Sequence, residues 1–149
     1  MPDVRVQRVS PQLTAVVRFR ASQSELSTLI PQACGKVWSF VRAAGIANPG
    51  RHLAIYFDCE MNIECGVEVQ EQFSGNGEIF CSSTPEGTAA TAAHIGPYNC
   101  LGQTHDAVRQ WCADQGYKLA GPSWEIYGHW TDDPSKLRTD VYWLLADES

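Results

Sequence analysis

Basic residues are few in this chain, and they are not clustered. Its eleven Lys and Arg are scattered along the sequence and are outnumbered by seventeen Asp and Glu, which gives a formal net charge of -6. A surface that binds nucleic acid needs clustered Lys and Arg to neutralise the phosphates. The composition therefore argues against a nucleic-acid partner, and cationic or neutral partners fit better.

Long apolar runs, metal-ligand spacings and phosphate-binding loops are also missing. No apolar stretch approaches the ~20 residues that a membrane-spanning helix needs, and the N-terminus lacks the charged and apolar segments of a secretion signal. The six cysteines form no CxxC motif or Cys/His cluster, and the four histidines form no HExxH pair. We therefore expect a soluble, cytoplasmic protein with packed, reduced thiols, no metal, no cofactor and no membrane partner.

One pattern of turn and strand residues occurs twice, about 70 positions apart. Pro11-x-x-Thr14-Ala15 recurs as Pro85-x-x-Thr88-Ala89, and the segment 52–56 aligns with 123–127, so that Tyr56 corresponds to Tyr127. A length of 149 residues suits one domain, 1–149. We expect repeat one to cover about residues 1–72 and repeat two about 78–149, joined by the turn-rich linker 73–78.

Hydrophobic periodicity predicts a helix in each repeat. Ser22 or Ser24 can cap the first helix, and Pro31 inside it predicts a kink or a late start. Gly45 and Gly116 are placed to end the two helices, since glycine adopts a left-handed conformation at low cost. The apolar positions at helical spacing are Leu26, Leu29, Ile30, Ala33, Val37, Val41 and Ala44 in the first repeat, and Leu101, Val108, Trp111 and Cys112 in the second.

Strand-like alternation before and after each helix completes the prediction of the fold. Alternation in 63–69 and 139–145 indicates the closing strands. The predicted fold is α+β, with two tandem β-α-β-β repeats related by pseudo-two-fold symmetry. It has an antiparallel sheet with the helices on one face and a ligand cleft on the other.

The strand that begins at Ser123 carries the principal candidate site. Side chains alternate along a strand, so Glu125, Tyr127 and His129 share one face and Trp124, Ile126 and Trp130 share the other. We expect Ile126 and its repeat counterpart Ile55 to meet the helices, which leaves Glu125, Tyr127 and Tyr56 facing the cleft. A carboxylate among aromatic rings is costly unless it is paired, and a bound cation removes that cost.

Further candidates for the walls of the site are Tyr142, Tyr98 and Trp38. Tyr142 lies in phase with Asp140 on the closing strand, Tyr98 follows the Gly96-Pro97 turn, and Trp38 departs from the apolar stripe of the first helix. The structural alternatives are rim packing with the hydroxyl in water for Tyr56 and Tyr127, a hydrophobic anchor for Tyr98 and a half-exposed surface position for Trp38. The structural alternative for Glu125 is a solvated strand residue on an open sheet face. Asp140, Glu64 and Glu68 are candidates to add negative charge to the cleft.

Four short elements occur in an order that resembles the signature of GyrI-like domains. They are His94-Ile95-Gly96-Pro97-Tyr98, Leu101-Gly102, Gly121-Pro122-x-x-Glu125-x-Tyr127 and Thr139-Asp140-Val141-Tyr142. Such domains also form the effector-binding part of multidrug-responsive regulators of the AraC and MerR types. Trp143 and Leu144 depart from the family pattern, which often has a small apolar residue and a proline there.

The resemblance implies a pocket for lipophilic, cationic aromatic molecules, with an acidic residue at its base and aromatic walls. The predicted function is therefore a stand-alone binding protein that senses or sequesters such molecules, with a possible homodimer. Some relatives hydrolyse cyclopropane-bearing natural products, which would give Glu125 the task of activating water and Tyr127 that of protonating the leaving group. Other relatives inhibit DNA gyrase, so an interaction with gyrase is a third alternative.

Overall fold

The computed structural model describes residues 3–58, 60–128 and 132–146, so that His129 and Trp130 lie outside the described residues. The strands and helices follow the order β-β-α-β-β in each half of the chain. They are β1 (Arg5–Val9), β2 (Leu13–Arg20), α1 (Leu26–Ala43), β3 (His52–Tyr56), β4 (Asn62–Glu68), β5 (Phe80–Ser83), β6 (Gly87–Ile95), α2 (Leu101–Gln115), β7 (Leu119–Tyr127) and β8 (Arg138–Leu145).

All eight strands form one antiparallel sheet in the order β1-β6-β8-β7-β3-β4-β2-β5. The predicted α+β class and antiparallel sheet are therefore confirmed. The two outermost strands were not predicted: β1 pairs with β6 of the second half, and β5 pairs with β2 of the first. Each half thus contributes an edge strand to the other. The pseudo-two-fold relation between the halves in space remains a prediction.

Both helices end where the sequence predicts. Gly45, just beyond α1, has φ +69°, and Gly116, the C-cap of α2, has φ +80°; glycine tolerates both values without the steric cost of a side chain. Ser22 caps a short 3₁₀ turn that leads into α1, and its backbone N–H donates to the Glu25 carboxylate at 2.9 Å. Pro31 lies inside α1, so the predicted late start is wrong.

The helices cover one side of the sheet, which we call the helix face. Here α1 buries Val37 and Val41 against β2 and β4, whereas α2 buries Val108 and Cys112 beside Val141 of β8. The predicted alternation along β7 is correct. The prediction that Ile55 and Ile126 meet the helices is wrong, because both lie on the other side of the sheet. The other side, which we call the opposite face, carries a separate apolar cluster without helical residues: Val16, Leu53, Ile55, Ala89, Trp124 and Ile126.

Side chains from the sheet itself and its loops close the opposite face. Val9 of the edge strand β1 and Phe80 of the edge strand β5 both pack against its apolar cluster, as does Phe57. Leu53 and Ile55 are consequently 0% exposed, although neither α1 nor α2 contributes a side chain to this cluster. This face is therefore a second core and not a cleft.

Neither α1 nor α2, the two α-helices in the described part of the chain, combines the length and apolar character needed to cross a membrane.

Candidate functional site

Glu125 lies near the middle of the sheet, on the helix face. Strands β3 and β7 pair there, with Ala54 opposite Glu125 and Cys65 of β4 next in the same row. The side chain of Glu125 reaches His105 of α2, which establishes that it faces the helices. The prediction that Glu125 points away from the helices is therefore wrong, because the apolar side chains of β7 pack on the opposite face instead.

Three side chains contact the Glu125 carboxylate. The hydroxyl of Tyr127 lies 2.6 Å from Oε1 and that of Tyr56 lies 3.2 Å from the same oxygen, whereas Nε2 of His105 lies 2.6 Å from Oε2. Glu125 is only 4% exposed. An ionised carboxylate can only accept hydrogen bonds, and three donors compensate for much of the hydration that it loses on burial.

Trp143 determines which ring nitrogen of His105 carries the proton. Its indole Nε1–H can only donate, and it donates to Nδ1 of His105 at 3.0 Å. Because Nδ1 accepts, the proton of the neutral imidazole is on Nε2, where it is donated to Glu125. The indole therefore orients the imidazole toward the carboxylate, so that Trp143, His105 and Glu125 form one chain of hydrogen bonds.

Both tyrosines are held as neutral donors. Burial raises the pKa of Tyr127 and that of Tyr56 well above the usual value of 10.0, and the negative charge of Glu125 raises both further. The hydroxyls consequently keep their protons at physiological pH. A neutral phenol at 2.6 Å can stabilise the carboxylate and could also transfer a proton to a bound molecule.

An aromatic rim surrounds these hydrogen bonds. Tyr98, 39% exposed in the 3₁₀ turn before α2, meets the ring of Tyr127 edge-on at 5.6 Å between centroids. The indole of Trp143 meets the imidazole of His105 at 5.8 Å. Trp38 of α1 is half-buried and contacts the His52 ring at 5.5 Å, one strand from Tyr127. Tyr98 and Trp38 thus lie on the same face as Glu125.

Tyr142 is the one predicted wall residue that the structure places elsewhere. Its ring stacks on Trp124 at 5.0 Å and belongs to the apolar cluster of the opposite face. The prediction that Tyr142 lines the Glu125 site is wrong, because Tyr142 lies on the opposite face of the sheet and Glu125 lies on the helix face. Residues in phase with Asp140 point away from the helices, whereas Val141 and Trp143 point toward them.

A family model described as GyrI-like small molecule binding domain matches residues 2–146. The chain belongs to this family. Small-molecule binding is accordingly the general function of the domain, and the resemblance carried by its four signature elements is confirmed. No curated protein matches the sequence.

Solved structures similar to this GyrI-like domain share its fold at low sequence identity. The C-terminal domain of EcmrR is 21% identical with a TM-score of 0.81, over 99% of each chain. SAV2435 bound to tetraphenylphosphonium is 9% identical with a TM-score of 0.68, over 97% of this chain and 94% of that one. A hydrolase from Listeria innocua is 11% identical with a TM-score of 0.62, over 96% and 91%. The chain spans 57% of the EcmrR chain in an EcmrR–DNA complex.

The three other carboxylates considered for the site do not join it. Glu64 is completely buried on the opposite face, where Arg18 and Ser82 donate to it. Glu68 and Asp140 both lie within 3.4 Å of the Arg51 guanidinium. Arginine thus neutralises these carboxylates on the opposite face. The expectation that they add charge around Glu125 is wrong.

The site in this GyrI-like domain is closed. Two surface depressions among the described residues do not include Glu125: one of about 280 Å³ lies beside Arg8 and Leu144, and one of about 440 Å³ lies beside Phe73 and Cys81. Within the described residues, no group of three or more His, Cys, Asp or Glu side chains is arranged to hold a metal ion. Because Glu125 is 4% exposed and His105 and Tyr127 lie against its carboxylate, a ligand can reach it only if neighbouring side chains move.

Sequence reasoning missed His105 and Trp143. Their partnership joins α2 to β8 across 38 positions of sequence, and no local pattern reports such a contact. One signal was available for Trp143, since it stands where the family often has a small residue. An indole at that position on the helix face needs a partner for its N–H when buried, and a histidine on the facing helix supplies it.

Proposed function

We propose that this GyrI-like domain binds lipophilic aromatic cations at Glu125. The observation that carries the proposal is the arrangement of one buried carboxylate beside the rings of Tyr56, Tyr127 and Trp143 on the helix face. A flat cation placed there would gain Coulomb attraction to the carboxylate and contact the electron-rich faces of the rings. Each good cation–π contact contributes about 0.5–2 kcal/mol.

The structure of SAV2435 supports this choice of ligand class. That protein has the same fold and was solved with tetraphenylphosphonium, a lipophilic aromatic cation. At 9% identity the comparison says nothing about individual residues of this chain, so the proposal depends on the chemistry around Glu125. Permanent organic cations lose less hydration free energy on burial than compact ions do, which suits a site without bulk water.

Charge selectivity should follow from Glu125 alone. An anionic aromatic of the same shape would lose its hydration beside a like charge, and a neutral one would lack both the ion-pair and the cation–π contributions. The expected order of affinity is cation, then neutral molecule, then anion. Because arginine pairs the carboxylates of the opposite face, they should contribute little to this order.

Dye titration of matched variants tests the proposal. A rhodamine-type cation should quench tryptophan fluorescence, and Glu125→Gln should weaken its binding at least tenfold, which corresponds to ~1.4 kcal/mol. Glu86→Gln is the control, because it removes the same charge from an exposed site. Equal affinity of the wild type and Glu125→Gln for the dye would refute the role of Glu125. An equal loss of affinity in Glu86→Gln would show that the effect comes from the net charge of the protein and not from Glu125 itself.

Hydrolysis of a strained electrophile is a second candidate, favoured by the pairing of Glu125 with His105 and Tyr127. The carboxylate could deprotonate a water molecule that the His105 side chain helps to position, while the neutral Tyr127 hydroxyl protonates the leaving group. Incubation with a cyclopropane-bearing alkylating agent, followed by mass spectrometry, should reveal a product heavier by one water. No turnover above that of Glu125→Ala would remove this candidate. The interaction with DNA gyrase and the homodimer stay predictions from the family resemblance.

A further inference from the structure

We infer that one face of α2, carrying His105 and Arg109, occupies the cation site before a ligand binds, so that a ligand must displace these side chains. The inference rests on the proposed function and adds an internal competitor to it. With such a competitor the apparent affinity is the intrinsic affinity multiplied by the fraction of molecules in which the site is vacant.

His105 occupies the carboxylate. Its Nε2–H lies 2.6 Å from Oε2 of Glu125, and the two tyrosines donate to Oε1. The imidazole side chain is 14% exposed and that of Glu125 is 5% exposed, so both partners are largely shielded from water. A cation cannot make close contact with Oε2 while the imidazole remains there. Of the three donors, His105 alone belongs to a helix, whereas the tyrosines belong to the central strands β3 and β7.

Arg109 occupies an aromatic face of the same site. Its guanidinium carbon lies 5.3 Å from the centre of the Trp143 ring, which is within the range of a cation–π interaction. Asp106 pairs with this guanidinium from the preceding turn. His105 and Arg109 are four residues apart and therefore lie on the same side of the helix. One face of α2 thus presents an N–H donor to the carboxylate and a cation to the indole.

Other contacts hold α2 on the sheet, so the two side chains can leave without the helix. Val108 and Cys112 are buried in the apolar cluster beneath α2. Thr104 Oγ1 lies 2.7 Å from Nδ1 of His94 on β6. Rotation of His105 and Arg109 toward solvent would open the site, because the Arg109 side chain is already 48% exposed.

Two substitutions separate the competitor from the binding group. His105→Leu removes the donor and keeps a side chain of similar size, and we expect it to bind the rhodamine-type dye about tenfold more tightly. The reason is that the ligand no longer has to break the hydrogen bond from His105 to the Glu125 carboxylate. Arg109→Gln should tighten binding by about two- to threefold. Arg8→Gln removes the same charge from the edge strand β1, where the side chain is 68% exposed and pairs with Glu86, and it should leave the affinity unchanged.

A measurement on the wild-type protein covers the case in which His105→Leu does not fold. The indole N–H of Trp143, assigned in NMR spectra by its loss in Trp143→Phe, should move upfield when the dye saturates the site, because His105 no longer accepts from it. A resonance that stays at its position under saturation would overturn the inference.

The outcomes separate the two proposals. If Glu125→Gln weakens binding but His105→Leu leaves it unchanged or weaker, the competitor is refuted and the binding site stands. If Glu125→Gln binds like the wild type, the proposed function itself fails.

Discussion

Removing the Tyr127 hydroxyl should destabilise the domain more than removing the Tyr56 hydroxyl. Both donate to Oε1 of Glu125, but at 2.6 Å and 3.2 Å respectively. Hydrogen bonds to charged groups contribute about 1.5–3 kcal/mol, and short, well-aligned bonds lie at the upper end of that range. We therefore expect Tyr127→Phe to lower the free energy of unfolding by about 2–3 kcal/mol and Tyr56→Phe by about 1.5 kcal/mol.

Equilibrium unfolding in urea at pH 7.5, followed by tryptophan fluorescence and circular dichroism, measures these differences. Tyr117→Phe is the control, since that ring is 38% exposed and stacks on Trp111 away from Glu125. Its change should stay within about 0.5 kcal/mol.

A double-mutant cycle tests whether the charge of Glu125 is the cause. In a Glu125→Gln background the Tyr127 hydroxyl donates to a neutral amide, so Tyr127→Phe should cost only about 0.5–1.5 kcal/mol. The resulting coupling energy of about 1 kcal/mol or more identifies an ionised carboxylate as the partner. If Tyr127→Phe costs no more than Tyr56→Phe, or the same in both backgrounds, the ionised and closely bonded Glu125 described above is wrong.

Three further predictions concern packing, alkaline pH and ligand charge. Gly66→Ala should lower the free energy of unfolding by at least about 3 kcal/mol or prevent folding, because a Cβ there would lie 1.8 Å from the Ala15 carbonyl oxygen. Gly35→Ala in α1, where a Cβ would have no atom within 4 Å, should raise the free energy of unfolding by about 0.5–1 kcal/mol in the same urea experiment. Burial raises the pKa of Cys34 to about 12 and that of Tyr56 well above 10, so these groups ionise in the unfolded chain at a lower pH than in the folded protein. The free energy of unfolding should therefore fall as the pH rises above 9, by about 1.4 kcal/mol per pH unit for each such group. Tyr56→Phe should reduce this slope above pH 10 in urea titrations. Competition among matched cationic, neutral and anionic dyes at pH 7.5 should give affinities in that order, and preference for the anion would contradict it.

The features of this protein that its sequence predicts are those that depend on local backbone geometry. Strand alternation correctly placed Glu125 with Tyr127 and apart from Trp124, because the two-residue period depends only on backbone geometry. Gly45 and Gly116 were found because few other residues end a helix in a left-handed conformation. The edge strands β1 and β5 were missed, since short strands that pair with the other half of the chain leave little local signal.

Only the tertiary structure decided which face of the sheet carries the site and which helix closes it. Alternation shows which side chains share a face, but both faces of the central strands are buried here, so hydrophobicity could not tell which one meets the helices. The long-range contacts of His105 with Glu125 and Trp143 join α2 to two later strands. They form because burial leaves each polar group dependent on a partner brought close by folding, and that requirement is absent from the linear sequence.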